Sequence, residues 1–176
     1  VQTCALPIYI PYYEFDAAFG NADISGTKTV EHNSRYDVVN TYSIPAEIQG
    51  DYMWGTPFDA SRYLDDEISA RAMPFNTEQE ITFHPAYLSG FYADAATVSP
   101  ELYYSDAKAQ AEQDMVGEIS AKVRADSNIT LSSATKIDTK ITSHHSVLYP
   151  MWFLTWRKKD RVAYAVVNGE SGKVVS

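Results

Sequence analysis

Leu148-Tyr-Pro-Met-Trp-Phe-Leu-Thr-Trp156, followed by Arg161-Val-Ala-Tyr-Ala-Val-Val-Asn-Gly-Glu-Ser-Gly-Lys-Val-Val-Ser176, is the stretch whose reading decides the fold. It reads as strand, turn, strand, turn and the start of a third strand. Trp152, Leu154 and Trp156 fall on one face of the first strand, and Met151, Phe153 and Thr155 on the other, because side chains alternate along a strand. With both faces largely apolar, this strand is expected to be central and covered on both sides. Lys158-Lys159-Asp160 supplies the first turn and Asn168-Gly-Glu-Ser-Gly172 the second.

Working back from that hairpin, Ile129 to Ile141 alternates weakly and suggests a strand leading into it. At the other end, Tyr9-Ile-Pro-Tyr-Tyr-Glu-Phe-Asp-Ala-Ala-Phe19 has strand composition, with Pro11 near its start, where a missing N–H is tolerated. Gly20-Asn-Ala-Asp23 is a turn signal. Further strands are expected over Ile24–His32, Tyr36–Ile48 and Gly50–Thr56, with Asn33-Ser-Arg35 as a hairpin turn. The 13 tyrosines, 7 phenylalanines and 3 tryptophans agree with half-buried sheet surfaces.

The middle reads differently. Leu64 to Met73 is expected to form a short helix ended by Pro74, with Asp65, Asp66 and Glu67 in its first turn, where carboxylates complement the helix dipole. The same carboxylates could serve metal or acid–base chemistry, but a helix start accounts for them. Phe83 to Ala93 reads as a second short helix, entered through His84-Pro85. Ser99-Pro100-Glu101 then opens a long one, with Ser at the N-cap and Pro in the first turn. Leu102, Ala109, Val116 and Val123 recur every seven residues, widened by Met115 and Ile119, so an amphipathic helix with one buried face is expected. The expected class is α+β, with an antiparallel sheet from the two ends of the sequence and a central helical insert. Residues 9–176 are read as one domain: strands over 9–57, an acidic helical middle over 58–126, and strands over 127–176.

The net charge of the 176 residues is −9, and it is concentrated. From Asp59 to Glu118 there are twelve acids against Arg62, Arg71 and Lys108, which accounts for the whole imbalance. Such a middle repels phosphate backbones and argues against nucleic-acid binding by this segment. A solvated face explains it more simply than an acidic docking surface.

No catalytic constellation stands out. Gly169-Glu-Ser-Gly-Lys173 has the look of a phosphate loop, but Val167 occupies the position that needs glycine and a strand follows where a helix is required. His144 and His145 are neighbours and point to opposite faces of a strand, so they do not share a metal. His32 stands alone. Asn128-Ile-Thr130 fits the short glycosylation pattern, which arises readily by chance. Arg157, Lys158, Lys159 and Arg161 make a basic hairpin tip, a solvated turn by default and an anionic-lipid contact as the sharper alternative. No catalytic, cofactor or metal residue is assigned. Tyr9, Tyr12, Tyr13 and Trp152 are the candidates for a ligand or interaction surface, with ordinary core as the competing reading.

Residues 1–8, Val-Gln-Thr-Cys-Ala-Leu-Pro-Ile, resemble the in-frame translation of a sequencing adaptor, as found at the edges of genes assembled from environmental DNA. On that reading Cys4, the single cysteine, is not native and supports no disulfide, zinc or thiol chemistry.

Six motifs in order carry a family resemblance: Tyr9-Ile-Pro-Tyr-Tyr-Glu-Phe-Asp16, Pro57-Phe-Asp-Ala-Ser61, Asp65-Asp66 with Met73-Pro-Phe75, Ala86-Tyr-Leu-Ser-Gly-Phe-Tyr-Ala-Asp94, Tyr149-Pro-Met-Trp152 and Ala165-Val-Val-Asn-Gly-Glu-Ser-Gly-Lys-Val174. The chain resembles the region between the zinc ribbons and the membrane segment in a family of uncharacterised bacterial proteins, mainly from Firmicutes, with a transcription-factor-IIB-type zinc ribbon. The resemblance implies zinc held upstream by paired cysteines, a hydrophobic membrane segment downstream, truncation at both ends, and a place on the cytoplasmic face of the membrane. It implies no activity. The leading expectation is therefore a non-enzymatic interaction or scaffold domain with an unidentified protein partner. A ligand-binding or sensor module with an aromatic pocket is the second reading, and an uncharacterised enzyme the third. A deep polar cleft with convergent His and carboxylate groups would overturn the leading, non-enzymatic expectation.

Overall fold

The computed structural model describes residues 2–32, 34–48, 51–52, 57–158 and 161–176. The strands are β1 (Gln2–His32), β2 (Asp37–Glu47), β3 (Asp51–Tyr52), β4 (Phe58–Asp59), β5 (Tyr92–Ala93), β6 (Thr130–Leu131), β7 (Lys136–Lys158), β8 (Arg161–Asn168) and β9 (Val174–Val175). The α-helices are α1 (Asp66–Ala72) and α2 (Tyr104–Ser127), and short 3-10 turns cover Thr77–Gln79, Pro85–Leu88 and Pro100–Tyr103. The sheet order is β2-β1-β7-β8-β9, with β3, β4, β5 and β6 each pairing with β1.

Strand holds 47% of the chain and helix 27%, so the α+β class expected from the sequence is corrected: the protein is closer to all-β. Two elements cause the difference. β1 is 31 residues long and β7 is 23. The expected turn at Gly20–Asp23 is instead strand, because its backbone is paired: Asn21, Ala22 and Asp23 sit opposite Glu47, Ala46 and Pro45. Local turn propensity loses to ladder hydrogen bonds supplied by a distant segment. Likewise the segment expected over 129–141 largely merges with the closing strand to make β7. The expected turn at Lys158–Asp160 lies partly outside the described residues, as does most of the strand expected over 50–56 and the first residue of the turn at 33–35.

The chain divides into two compact units, Val1–Glu14 with Thr56–Tyr103 and His144–Ser176, and Phe15–Gly55 with Tyr104–Ser143. β1 and β7 each contribute to both.

In the first unit the core gathers Ile10, Tyr12, Leu64, Ala72, Phe75, Tyr149, Met151, Val166 and Val175. α1 forms because Asp65 caps it, its carboxylate accepting from the N–H groups of Glu67 (3.0 Å) and Ile68 (3.1 Å). Met73-Pro74 ends it, since proline cannot continue the ladder. Asn168 ties the closing turn to this helix end. Its buried amide donates to the carbonyls of Ala72 (2.9 Å) and Pro74 (3.1 Å), and its carbonyl oxygen accepts from the N–H groups of Glu170 and Ser171, each at 2.9 Å. Gly169 follows because a Cβ there would lie 2.6 Å from the Pro150 carbonyl oxygen. The strand expected to be covered on both faces is fully buried only at Met151: Trp152 is 43% exposed, and Phe153, Leu154 and Trp156 are half-buried. α1 and the Phe75 segment pack on the Met151 side, which leaves the Trp152 ring half in solvent.

In the second unit, Ala17, Phe19 and Ala111 form a core with Ile48, Met115, Ile137 and Ile141 packed against it. The heptad stripe expected for the long helix is corrected in its first half: Leu102 and Ala109 are exposed, and the buried positions there are Ala107 and Ala111, whereas Met115, Val116, Ile119 and Val123 are half-buried. Two alanines one turn apart let a helix backbone approach a sheet closely, which bulkier side chains would prevent. Gly26 allows a comparable approach within the sheet: a Cβ there would meet the Ile129 side chain at 2.6 Å. Asn128, with φ 54°, ends the helix in the left-handed conformation. Among the described residues no helix is long and apolar enough to cross a membrane.

Candidate functional site

Every group of the candidate site belongs to the first unit. Along β1, Ile10, Tyr12 and Glu14 share one face, so the strand that buries two apolar side chains also buries a carboxylate. Along β7, His145, Val147 and Tyr149 share one face by the same alternation. The Tyr149 ring stacks on Phe75, with centroids 4.2 Å apart and planes 5° from parallel, and meets Tyr12 edge-on at 5.5 Å. This aromatic clamp fixes where the phenol points. Its hydroxyl contacts Glu14 Oε1 and lies 2.5 Å from Glu80 Oε1. His145 Nε2 lies 3.1 Å from Glu14 Oε2. Glu80 arrives from the end of the 3-10 turn Thr77–Gln79, which Asn76 caps by accepting from the Glu78 N–H at 3.1 Å.

Two carboxyl groups, one phenol and one imidazole thus converge. A phenol has one proton and can donate to only one carboxylate. The second contact needs a proton from a carboxyl group. Glu14, Glu80 and Tyr149 therefore hold at least two protons among them, one more than full ionisation of both acids allows. Burial pushes the Glu14 carboxyl up from its ordinary 4.5 to about 7; the Tyr149 hydroxyl opposes the rise and the neighbouring Glu80 adds to it. Burial and the two acidic contacts likewise hold the Tyr149 phenol well above its ordinary range. The ligand atoms of Glu14, Glu80 and His145 all lie within 4.8 Å of one another, close enough to hold a metal ion. The hydrogen-bond network described above satisfies the same atoms without one.

In front of this cluster lies a cavity of about 750 Å3. Glu80, His145 and Tyr149 form its polar floor, with Glu14 directly behind. Tyr9, Phe83, Tyr87 and Leu88 supply apolar walls, and Asp94 and Glu170 the remaining charge. Tyr9 is steadied by Phe91, edge-on at 5.7 Å. The Pro85–Leu88 turn that presents Tyr87 and Leu88 is capped by His84, whose Nδ1 accepts from the Ala86 N–H at 3.2 Å.

Of the four candidates named from sequence, Tyr9 lines this cavity. Tyr12 and Tyr13 are core residues: Tyr12 is fully buried with its hydroxyl 2.8 Å from Ser69 Oγ, and the Tyr13 hydroxyl donates to the Val98 carbonyl at 2.8 Å. Trp152 is exposed elsewhere and is not among the lining residues. Sequence reasoning missed Glu14, Glu80, His145 and Tyr149. One signal was present in Tyr12-Tyr13-Glu14-Phe15: an acid inside an apolar strand run must be paired when buried. His144 and His145 do point apart, as expected. His144 meets the Tyr13 ring edge-on at 5.8 Å, while His145 turns to Glu14.

Comparison with known proteins gives little beyond this geometry. No family model matches the chain. No solved structure matches it. Among curated proteins it is similar to YdjG, an uncharacterised protein of Bacillus subtilis (strain 168), with 25% identity over 182 residues, covering 96% of this chain and 50% of YdjG. The chain thus spans half the length of that relative.

Proposed function

We propose that the first unit is a small-molecule-binding module of the sensor type. The observation that carries this is the cavity of about 750 Å3 whose floor of Glu80, His145 and Tyr149 is backed by the buried Glu14. Its size falls within the range of ligand pockets, and its composition, apolar walls with a few converging polar groups, is theirs too. A pure scaffold has no use for a buried, proton-sharing carboxylate cluster opening onto a cavity, since such a cluster costs stability. The acidic floor also supports the expectation that this segment does not bind nucleic acid.

The test is a screen of small aromatic fragments by saturation-transfer NMR, run on the wild type and on Leu88→Trp, which fills the cavity from its wall. Fragments that bind the wild type and lose binding in the variant are the expected result. Equal binding to both proteins, or to neither, would refute the module. The parent protein is proposed to place this module between upstream zinc ribbons and a downstream membrane segment. Paired cysteines before residue 9 and an apolar run after Ser176 in the complete reading frame would support that, and their absence would remove it.

A further inference from the structure

The cavity carries an unbalanced charge. Glu80, Asp94 and Glu170 line it, Glu14 stands behind its floor, and no lysine or arginine is among its described lining residues. The carboxylates are held by neutral donors. Asp94 accepts from the Ser61 hydroxyl and from the Ala95 N–H at 2.8 Å, and Glu170 accepts from the Asn76 N–H at 2.8 Å. His145 is the one basic side chain at the floor. The Glu14–Tyr149–Glu80 contacts are satisfied only by retaining an extra proton, as counted above. A proton is the smallest cation that can fill that role, and a larger one entering the cavity could replace it.

Resting on the binding-module reading, we propose that the cavity takes an organic ammonium ion with an aromatic or apolar body, and that binding expels the proton shared by Glu14, Glu80 and Tyr149. The ammonium group sits against Glu80, with Asp94 and Glu170 contributing at longer range. The body lies among Tyr9, Phe83 and Tyr87, where aromatic faces also attract a cation. The walls favour this over a bare metal ion. An ion held by Glu14, Glu80 and His145 would leave most of the roughly 750 Å3 and all three rings without a role. The proton balance is simple: the ligand arrives charged, one carboxyl loses its proton to the buffer, and the net charge of the site is unchanged.

The groups facing this proton are few: Glu14 and Tyr9 from β1, His145 and Tyr149 from β7, Glu80 from the loop after residue 79, Asp94 at the end of β5, and Glu170 from the closing turn. Because the shared proton leaves as the cation enters, affinity must rise with pH through the range where the cluster titrates.

Isothermal titration calorimetry with tryptamine and its neutral counterpart tryptophol tests the idea. Tryptamine is expected to bind the full chain about tenfold more tightly at pH 8 than at pH 6. At pH 6 it should release close to one proton, read from the heats in buffers of different ionisation enthalpy, and tryptophol should bind at least about tenfold more weakly. Glu80→Gln should weaken tryptamine, leave tryptophol unchanged and abolish the proton release. Tryptophol binding as tightly as tryptamine would overturn the proposal while leaving the pocket reading intact. So would tryptamine binding at pH 6 with no proton released. If neither compound binds, the ammonium proposal fails, and the fragment screen with Leu88→Trp decides the pocket separately. Zinc chloride binding at micromolar concentration, lost in Glu80→Gln, with no binding of tryptamine, would replace the organic cation by a metal and overturn the proposal.

Discussion

Glu14→Gln should change how the protein's stability depends on pH more than it changes stability at acid pH. The carboxyl moves from 4.5 in the unfolded chain to about 7 in the folded protein because it is buried beside Glu80. A raised folded value means that the native state holds the proton more tightly than the unfolded state. The stability this group contributes is therefore fully present below pH 4.5 and is lost as pH rises through 7. At ~1.36 kcal/mol for each pH unit of displacement, the loss is about 3 kcal/mol. Asp59 acts in the same direction: burial raises it from 3.8 to about 6, with the Ser61 N–H opposing. It adds a loss of about 3 kcal/mol that is complete by about pH 7. The wild type is thus expected to be most stable in mild acid, with both groups weakening it toward pH 8. Gln keeps the acceptor for Tyr149 and carries no charge, so the variant retains only the Asp59 part of the slope. The assay is urea unfolding followed by tryptophan fluorescence at half-unit steps from pH 4.5 to 8.5. With an m-value of about 2 kcal/mol/M, the wild-type midpoint should lose about 1–1.5 M more than that of the variant across this range. The two curves should converge near pH 4.5. Parallel curves would show that Glu14 does not bind an extra proton in the folded state.

The other expectations concern the same unit. Tyr149→Phe removes the hydroxyl that separates Glu14 from Glu80, so it should destabilise more at pH 8 than at pH 5, by about 1–3 kcal/mol; an equal loss at both values would mean that the phenol only packs. Asn168→Ala strands two carbonyls and two N–H groups at the closing turn and should cost about 3 kcal/mol in chemical denaturation, whereas a loss under about 1 kcal/mol would show that water replaces the amide. Gly169→Ala places a methyl against the Pro150 carbonyl and should lower stability by about 1–3 kcal/mol, read as a fall in Tm, with no change refuting the close approach. Met151→Ala opens the aromatic core and should cost about 2–5 kcal/mol, while Trp152→Ala on the half-exposed face should cost clearly less; the reverse order would reverse the assignment of faces.

The sequence by itself determined the local elements that depend on neighbouring residues. Asp65 and Pro74 bound α1, Ser99-Pro100 opens the helical run that ends at Asn128, and Asn168 to Gly172 makes a turn, because caps, prolines and turn residues act within a few positions of themselves. The strand character of Tyr9–Phe19 and Leu148–Trp156 was legible for the same reason. Only the tertiary structure decided that Gly20–Asp23 stays extended, because the partner that holds it there lies at residues 45–48. It alone decided that α2 buries Ala107 and Ala111 in place of Leu102 and Ala109, since the surface that selects small residues is a sheet assembled from distant strands. The site was the least legible part. Glu14 and His145 are separated by 131 positions and meet because β1 and β7 are neighbours, and Glu80 reaches them from a loop with no pattern of its own. A carboxylate's protonation depends on what surrounds it in space, and no arrangement of residues along the chain records that.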